Sequence, residues 1–182
     1  MSLKTLMASA AVALALPVAA NAAMFEDCTG FTLSTTGDGD VNVTSPSASD
    51  CSFTLTGNND GSSGLTLFTA IADVGYLLDF NWNYSTADVS PSWDPAGYTV
   101  NGALMQLSDN GGSTFSQSGS ESYQISAGDE FGWYVDSVDG IVGAADLDVF
   151  SNFTVIPLPA GGLLLLTALG GMAAVRRRRK AT

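Results

Sequence analysis

Tyr76-Leu77-Leu78-Asp79-Phe80-Asn81-Trp82-Asn83-Tyr84-Ser85 decides the fold of this chain. Tyr76, Leu78, Phe80, Trp82 and Tyr84 alternate with Leu77, Asp79, Asn81, Asn83 and Ser85, so one face is apolar and the other largely polar. Successive side chains point to opposite sides only in an extended strand, and a strand apolar on one side is half-buried in an antiparallel sheet.

The same logic extends outward in both directions. Upstream, Phe31/Leu33, Val41/Val43 and Phe53/Leu55 are short alternating pieces, and Leu65 to Ala72 is a β-branched and apolar run. Downstream, Tyr98 to Leu107 resumes as strand, broken at Asn101-Gly102 by a turn or bulge. Tyr123 and Ile125 lead into the turn Ser126-Ala127-Gly128-Asp129, after which Phe131, Trp133 and Val135 alternate with Gly132, Tyr134 and Asp136. Leu147, Val149, Phe153 and Val155 line one side of a last strand. Asp88 to Ala96 holds Pro91 and Pro95, which a central strand excludes, and reads as a loop. About nine short strands, Gly-rich turns and no amphipathic helix predict an all-β protein, an antiparallel and jelly-roll-like β-sandwich over residues 23–154.

The charge of this domain is one-sided. All six basic residues are Lys4 and Arg176 to Lys180, the chain has no His, and all 18 acidic residues lie from Glu26 to Asp148. Nucleic acid and anionic lipid surfaces are therefore poor partners. Two readings fit the acidity: solubility in salty water, where screening tames self-repulsion, and divalent-cation binding. No cofactor is required; Ca2+ is the ion an acidic site would take, with Asp88, Asp94, Asp136 and Asp139 as hypothetical ligands. Gly37-Asp38-Gly39-Asp40 and Gly57-Asn58-Asn59-Asp60-Gly61 resemble calcium loops in composition but lack the EF-hand spacing, and plain turns account for them. Cys28 and Cys51 are the two cysteines, and in an exported domain they read as a disulfide.

Both ends of the chain are targeting elements. Residues 1–22 have Lys4, an apolar run from Leu6 to Ala20 and small residues at Ala20-Asn21-Ala22, the pattern of a secretory signal peptide cut by signal peptidase. Residues 155–182 carry Ile156-Pro157-Leu158-Pro159-Ala160, an apolar stretch and the cations Arg176, Arg177, Arg178, Arg179 and Lys180. Ile156 to Val175 are 20 residues without a charge, which as a helix is roughly one hydrocarbon thickness, about 30 Å. We place the membrane helix at 160–175 and the basic tail at 176–180. Arg and Lys are retained on the cytoplasmic side, so the C-terminus stays inside and the domain lies outside the inner membrane.

Signature, short helix and Arg cluster in that order resemble the VPLPA-CTERM branch of the PEP-CTERM sorting signals. Ile156 stands where members carry Val, a one-methylene departure. The resemblance implies transient anchoring, cleavage by an exosortase-type transpeptidase and release to the surface of a Gram-negative bacterium. A second resemblance, from Phe80 to Phe153, is to a domain common among PEP-CTERM cargo proteins. It rests on Trp82-x-Tyr84, Trp93-Asp94-Pro95-Ala96-Gly97-Tyr98, Asn101-Gly102, Gln106-Leu107, Ser116-Gln117-Ser118-Gly119, Ala127-Gly128-Asp129-x-Phe131-Gly132 and Ser151-Asn152-Phe153. It implies a sandwich fold and an exported setting, and brings no catalytic residue.

The function classes separate on chemistry. Without His, Lys or Arg in the exported domain, Ser-His-Asp and Cys-His catalysis, an arginine clamp and His-ligated zinc are all excluded. Two-carboxylate chemistry alone survives, and nothing marks two carboxylates as special. Catalytic residues are therefore none. A carbohydrate-binding module would use exposed rings as stacking platforms: Trp93, in a loop beside Asp88 and Asp94, and Tyr134, facing opposite Trp133. The competing reading puts Trp82 and Trp133 in the core and has Trp93 plug a sandwich end. The reading we favour from sequence is a non-catalytic surface or matrix component, associated through the family setting with biofilm or extracellular polysaccharide.

Overall fold

A computed structural model describes residues 25–44 and 50–156. The signal-peptide segment 1–22, residues Pro157 to Ala160 of the signature, the helix at 160–175 and the cations 176–180 lie outside the described residues.

Ten strands form two five-stranded antiparallel sheets. They are β1 (Thr32–Thr35), β2 (Asp40–Val43), β3 (Asp50–Thr56), β4 (Gly64–Ile71), β5 (Tyr76–Thr86), β6 (Ala96–Val100), β7 (Ala103–Gln106), β8 (Gln117–Ile125), β9 (Glu130–Ser137) and β10 (Ala145–Val155). One sheet runs β1-β4-β9-β6-β7 and the other β2-β3-β10-β5-β8. The chain stays within a sheet only from β2 to β3 and from β6 to β7, and every other connection crosses to the opposite sheet. The protein is an antiparallel β-sandwich, with no α-helix among the described residues.

The alternation in β5 becomes burial. Tyr76, Leu78, Phe80, Trp82 and Tyr84 are buried, and the residues between them face outward. β5 pairs with β10 along its whole length, from Tyr76 opposite Val155 to Thr86 opposite Ala145. Leu147, Val149 and Phe153 share the inner face of β10, as their spacing predicts. Asn101 and Gly102, at φ 51° and 78°, make the two-residue hairpin between β6 and β7; two left-handed positions are what such a turn requires. The Pro91–Trp93 segment is a single 3-10 turn within the predicted loop.

The core is a ring cluster. Trp133 is fully buried, with Phe53 at 5.1 Å and Phe80 at 5.6 Å between ring centroids. Phe25 touches Phe131, Tyr76 and Phe153 at 4.9–5.2 Å. The Cys28–Cys51 disulfide ties the segment before β1 to β3, as the sequence led us to expect, and fits an oxidising, extracytoplasmic setting. Both sheets, the described core and the disulfide lie within 25–156, so this segment holds what a domain needs to fold alone.

Candidate functional site

Antiparallel winding sends the connections to two opposite ends. At one end are the short turns 72–75, 101–102 and 126–129, together with the disulfide and the start of the C-terminal segment. At the other are five loops: 36–39, 57–63, 87–95, 107–116 and 138–144. Loops positioned by a rigid sandwich are where recognition is usually built.

Hydrogen bonds knit the five loops in sequence around that end. Asn58, with no exposed surface, accepts from the Asp38 backbone N–H at 2.7 Å. Its amide donates to the Asp60 carboxylate at 2.9 Å and to the Ser62 carbonyl at 2.6 Å. The Asn59 backbone N–H returns a bond to the Asp38 carboxylate at 2.7 Å. The two Asp/Asn/Gly clusters are thus turns that satisfy each other, and hydrogen bonds from Ser62 and Asn58 hold the Asp60 carboxyl below its ordinary pKa. Gly61 N–H to Gly140 O (2.8 Å) and Gly143 N–H to Asn59 Oδ1 (3.0 Å) join these turns to loop 138–144. Val138 N–H donates to Trp93 O at 2.7 Å, and Thr86 N–H to Thr114 O at 2.9 Å, which brings in the remaining two loops.

Loop 87–95 is turned inside out. Its carboxylates point inward: Asp88 is 5% exposed and Asp94 1%. The Thr86 hydroxyl donates to Asp94 Oδ2 at 2.7 Å and accepts from the Asp88 backbone N–H at 3.0 Å. The Tyr84 hydroxyl donates to the Asp94 carbonyl at 3.0 Å. Burial raises the Asp94 carboxyl above its ordinary pKa, the Thr86 hydroxyl pulls it back, and the nearby Asp88 and Asp139 add to the rise. Burial and the neighbouring Asp94 push the Tyr84 phenol up as well. Meanwhile Val89 is 81% and Trp93 41% exposed.

The sequence-predicted site residues fare differently. Trp93 is open to solvent, as a stacking platform requires. Tyr134 is not: it is 3% exposed, and we correct its assignment as a surface ring. Alternation placed it on the face opposite Trp133, but β9 is the middle strand of its sheet, and Leu67 and Gly97 flank Tyr134 in register on the two neighbouring strands. Burial pushes its phenol up to about 12. Asp88, Asp94 and Asp139 gather near one another, whereas Asp136 feels mainly its own burial. Among the described residues no three His, Cys, Asp or Glu side chains form a group that could hold a metal ion. Sequence reasoning missed Asn58 as the knot of the loop end, and it missed the exposed apolar tips Val89, Phe115, Ile141 and Val142. Each tip is an apolar residue among turn formers, and no periodicity marks it.

No family model matches this chain, and no curated protein matches it closely enough to count as a relative. Among solved structures it is similar to the enzymatically active domain of tailspike protein 4 from bacteriophage CBA120, at 16% identity and a TM-score of 0.38, covering 76% of this chain and 21% of that one. It is also similar to a family 35 carbohydrate-binding module from Clostridium thermocellum, at 16% identity and a TM-score of 0.33, covering 67% and 86%. This chain spans about a fifth of the tailspike chain. Neither likeness is close enough to carry a function.

Proposed function

We propose that this chain is an exported, non-catalytic cell-surface or extracellular-matrix protein, its sandwich wound in jelly-roll fashion and carried to the surface by a VPLPA-type C-terminal signal. The observation that supports this most is the sandwich itself. Its pairing runs to Ile156, whose N–H donates to Gly75 O at 2.8 Å one residue beyond β10, which puts the signature directly after the last strand. A disulfide-closed sandwich without a single Lys, Arg or His side chain suits a structural role and leaves no general base other than a carboxylate. The test is Pro157→Ala with Pro159→Ala in a host carrying the transpeptidase. The variant should accumulate uncut and membrane-held, while the parent chain is shortened and released; equal processing of both would sink the reading.

One observation favours a second role, glycan binding: the open Trp93 ring on the loop end. Trp93→Ala should lose retention on immobilised polysaccharide while keeping its melting temperature. Loss of both would make Trp93 a packing residue.

A further inference from the structure

Two carboxylates are buried in loop 87–95 without a cation to meet them: Asp88 is 5% exposed and Asp94 1%. A carboxylate taken out of water is ordinarily paired with a cationic side chain or coordinates a metal ion. Pairing is excluded, because no Lys, Arg or His lies between Lys4 and Arg176. Hydrogen bonds answer half of the demand. Val89 N–H donates to one oxygen of Asp88 and the Thr86 hydroxyl to one oxygen of Asp94, which leaves each carboxylate a second oxygen. The two acids are neighbours, bridged by that same Thr86 hydroxyl, which accepts from the Asp88 backbone N–H.

A third oxygen belongs to the same place. Ser137, the last residue of β9, is fully buried, and its Oγ has no hydrogen-bond partner. It lies against the Asp94 carboxyl, near enough to lower its pKa but outside bonding geometry. A buried hydroxyl left unpaired is costly, and native proteins keep few of them without a reason.

We propose that Asp88, Asp94 and Ser137 bind a calcium ion at the base of loop 87–95. The donors are all oxygens, the two cysteines are locked in a disulfide and the chain has no His, so the site takes a hard cation. Magnesium demands a near-ideal octahedron, whereas calcium accepts an irregular set of about six to eight oxygens, which loop carbonyls and water can complete. Three carboxylates do not converge here, so the site has two and a hydroxyl, and half-buried Asp139 contributes charge nearby. Asp136 has no part in it. Two carboxylates place the affinity in the range of extracellular calcium modules, a Kd of about 10⁻⁴ to 10⁻³ M. The ion would tie loop 87–95 to the end of β9 next to Trp93, whose carbonyl already accepts from Val138 N–H. That calcium thereby steadies a sugar-stacking ring rests on the glycan role above; ion binding itself does not.

The test uses the disulfide-bonded 25–156 domain after treatment with chelator. Terbium, a calcium mimic that Tyr84 or Trp93 can sensitise, should give saturable luminescence that calcium displaces and magnesium does not. Calcium at about 10 mM should raise the melting temperature by about 5 °C or more, and magnesium at equal ionic strength by less than about 1 °C. Asp88→Asn keeps an acceptor for the Val89 N–H, so it should stay folded while binding calcium about tenfold or more weakly. Ser137→Ala should weaken binding by a smaller factor, and Asp109→Asn, an exposed acid at the same end, should leave it unaltered. A folded domain without a calcium-displaceable terbium signal would overturn the proposal, as would equal stabilisation by magnesium or an unchanged affinity in Asp88→Asn. Calcium binding in a domain that no polysaccharide retains would uphold the site and count against the glycan role alone.

Discussion

The two ends of the sandwich are held by different physics. Where the described chain begins and ends, Phe25, Phe31, Phe131 and Phe153 interlock within 4.9–6.2 Å of one another, and the Cys28–Cys51 bond closes the edge. The fully described turns there, 72–75, 101–102 and 126–129, are two to four residues long. At the loop end the interior is polar: Asn58, Asp88 and Asp94 are buried, and side-chain-to-backbone bonds take the place of ring packing. Apolar burial is non-directional and tolerates few changes of volume. A hydrogen-bonded knot is directional and fails when a single partner is removed. One end is therefore suited to stapling the fold beside the segment that leaves it, and the other to presenting loops in a fixed shape.

Two truncations set the ends against each other. Phe25→Ala removes a ring that is 1% exposed and touches four others, and should cost about 3–5 kcal/mol in urea unfolding. Asn58→Ala strips partners from the Asp38 N–H and the Ser62 carbonyl and should cost about 2 kcal/mol. Hydrogen exchange sharpens the contrast: the Asn58 variant should lose protection in loops 36–39, 57–63 and 138–144 while the ring-packed end keeps its own. Uniform loss across both ends would mean the two are one cooperative unit.

A smaller effect comes from pH. Burial holds the Asp94 carboxyl above its ordinary value of 3.8, so near that value the folded chain keeps a proton that the unfolded chain releases. The stability this provides is complete below the unfolded-state pKa and is lost as pH rises through the folded-state one. Asp94→Asn should flatten that decline when unfolding is followed across about pH 3 to 8, because the amide can still accept from Thr86 and never ionises. An unchanged profile would assign the slope to other carboxylates.

Much of the sandwich was legible from residue order. The period of two in 76–85 and 131–135 became inner faces, Asn101-Gly102 became a hairpin turn, and the two cysteines paired. β8 was legible only at its end. Gln117 to Gln124 has no apolar alternation because it is an exposed edge strand, recruited by backbone pairing to β5. Its Gly119 leaves room for the Trp82 indole, whose atoms would lie 2.9 Å from an added Cβ. The site was less legible still. Alternation tells which face of a strand Tyr134 takes and not whether that face is covered.

The sequence by itself determined most of the strands and turns, the disulfide and the one-signed charge, because each follows from local stereochemistry or from composition. Only the tertiary structure decided that Asp88 and Asp94 turn inward and that Asn58 ties two turns together. It alone brought the exposed apolar tips of three separated loops to one end. The physical reason is distance along the chain. Periodicity reports on neighbours a few residues apart, whereas Val89 and Val142 come to the same end through sheets whose winding no local signal encodes.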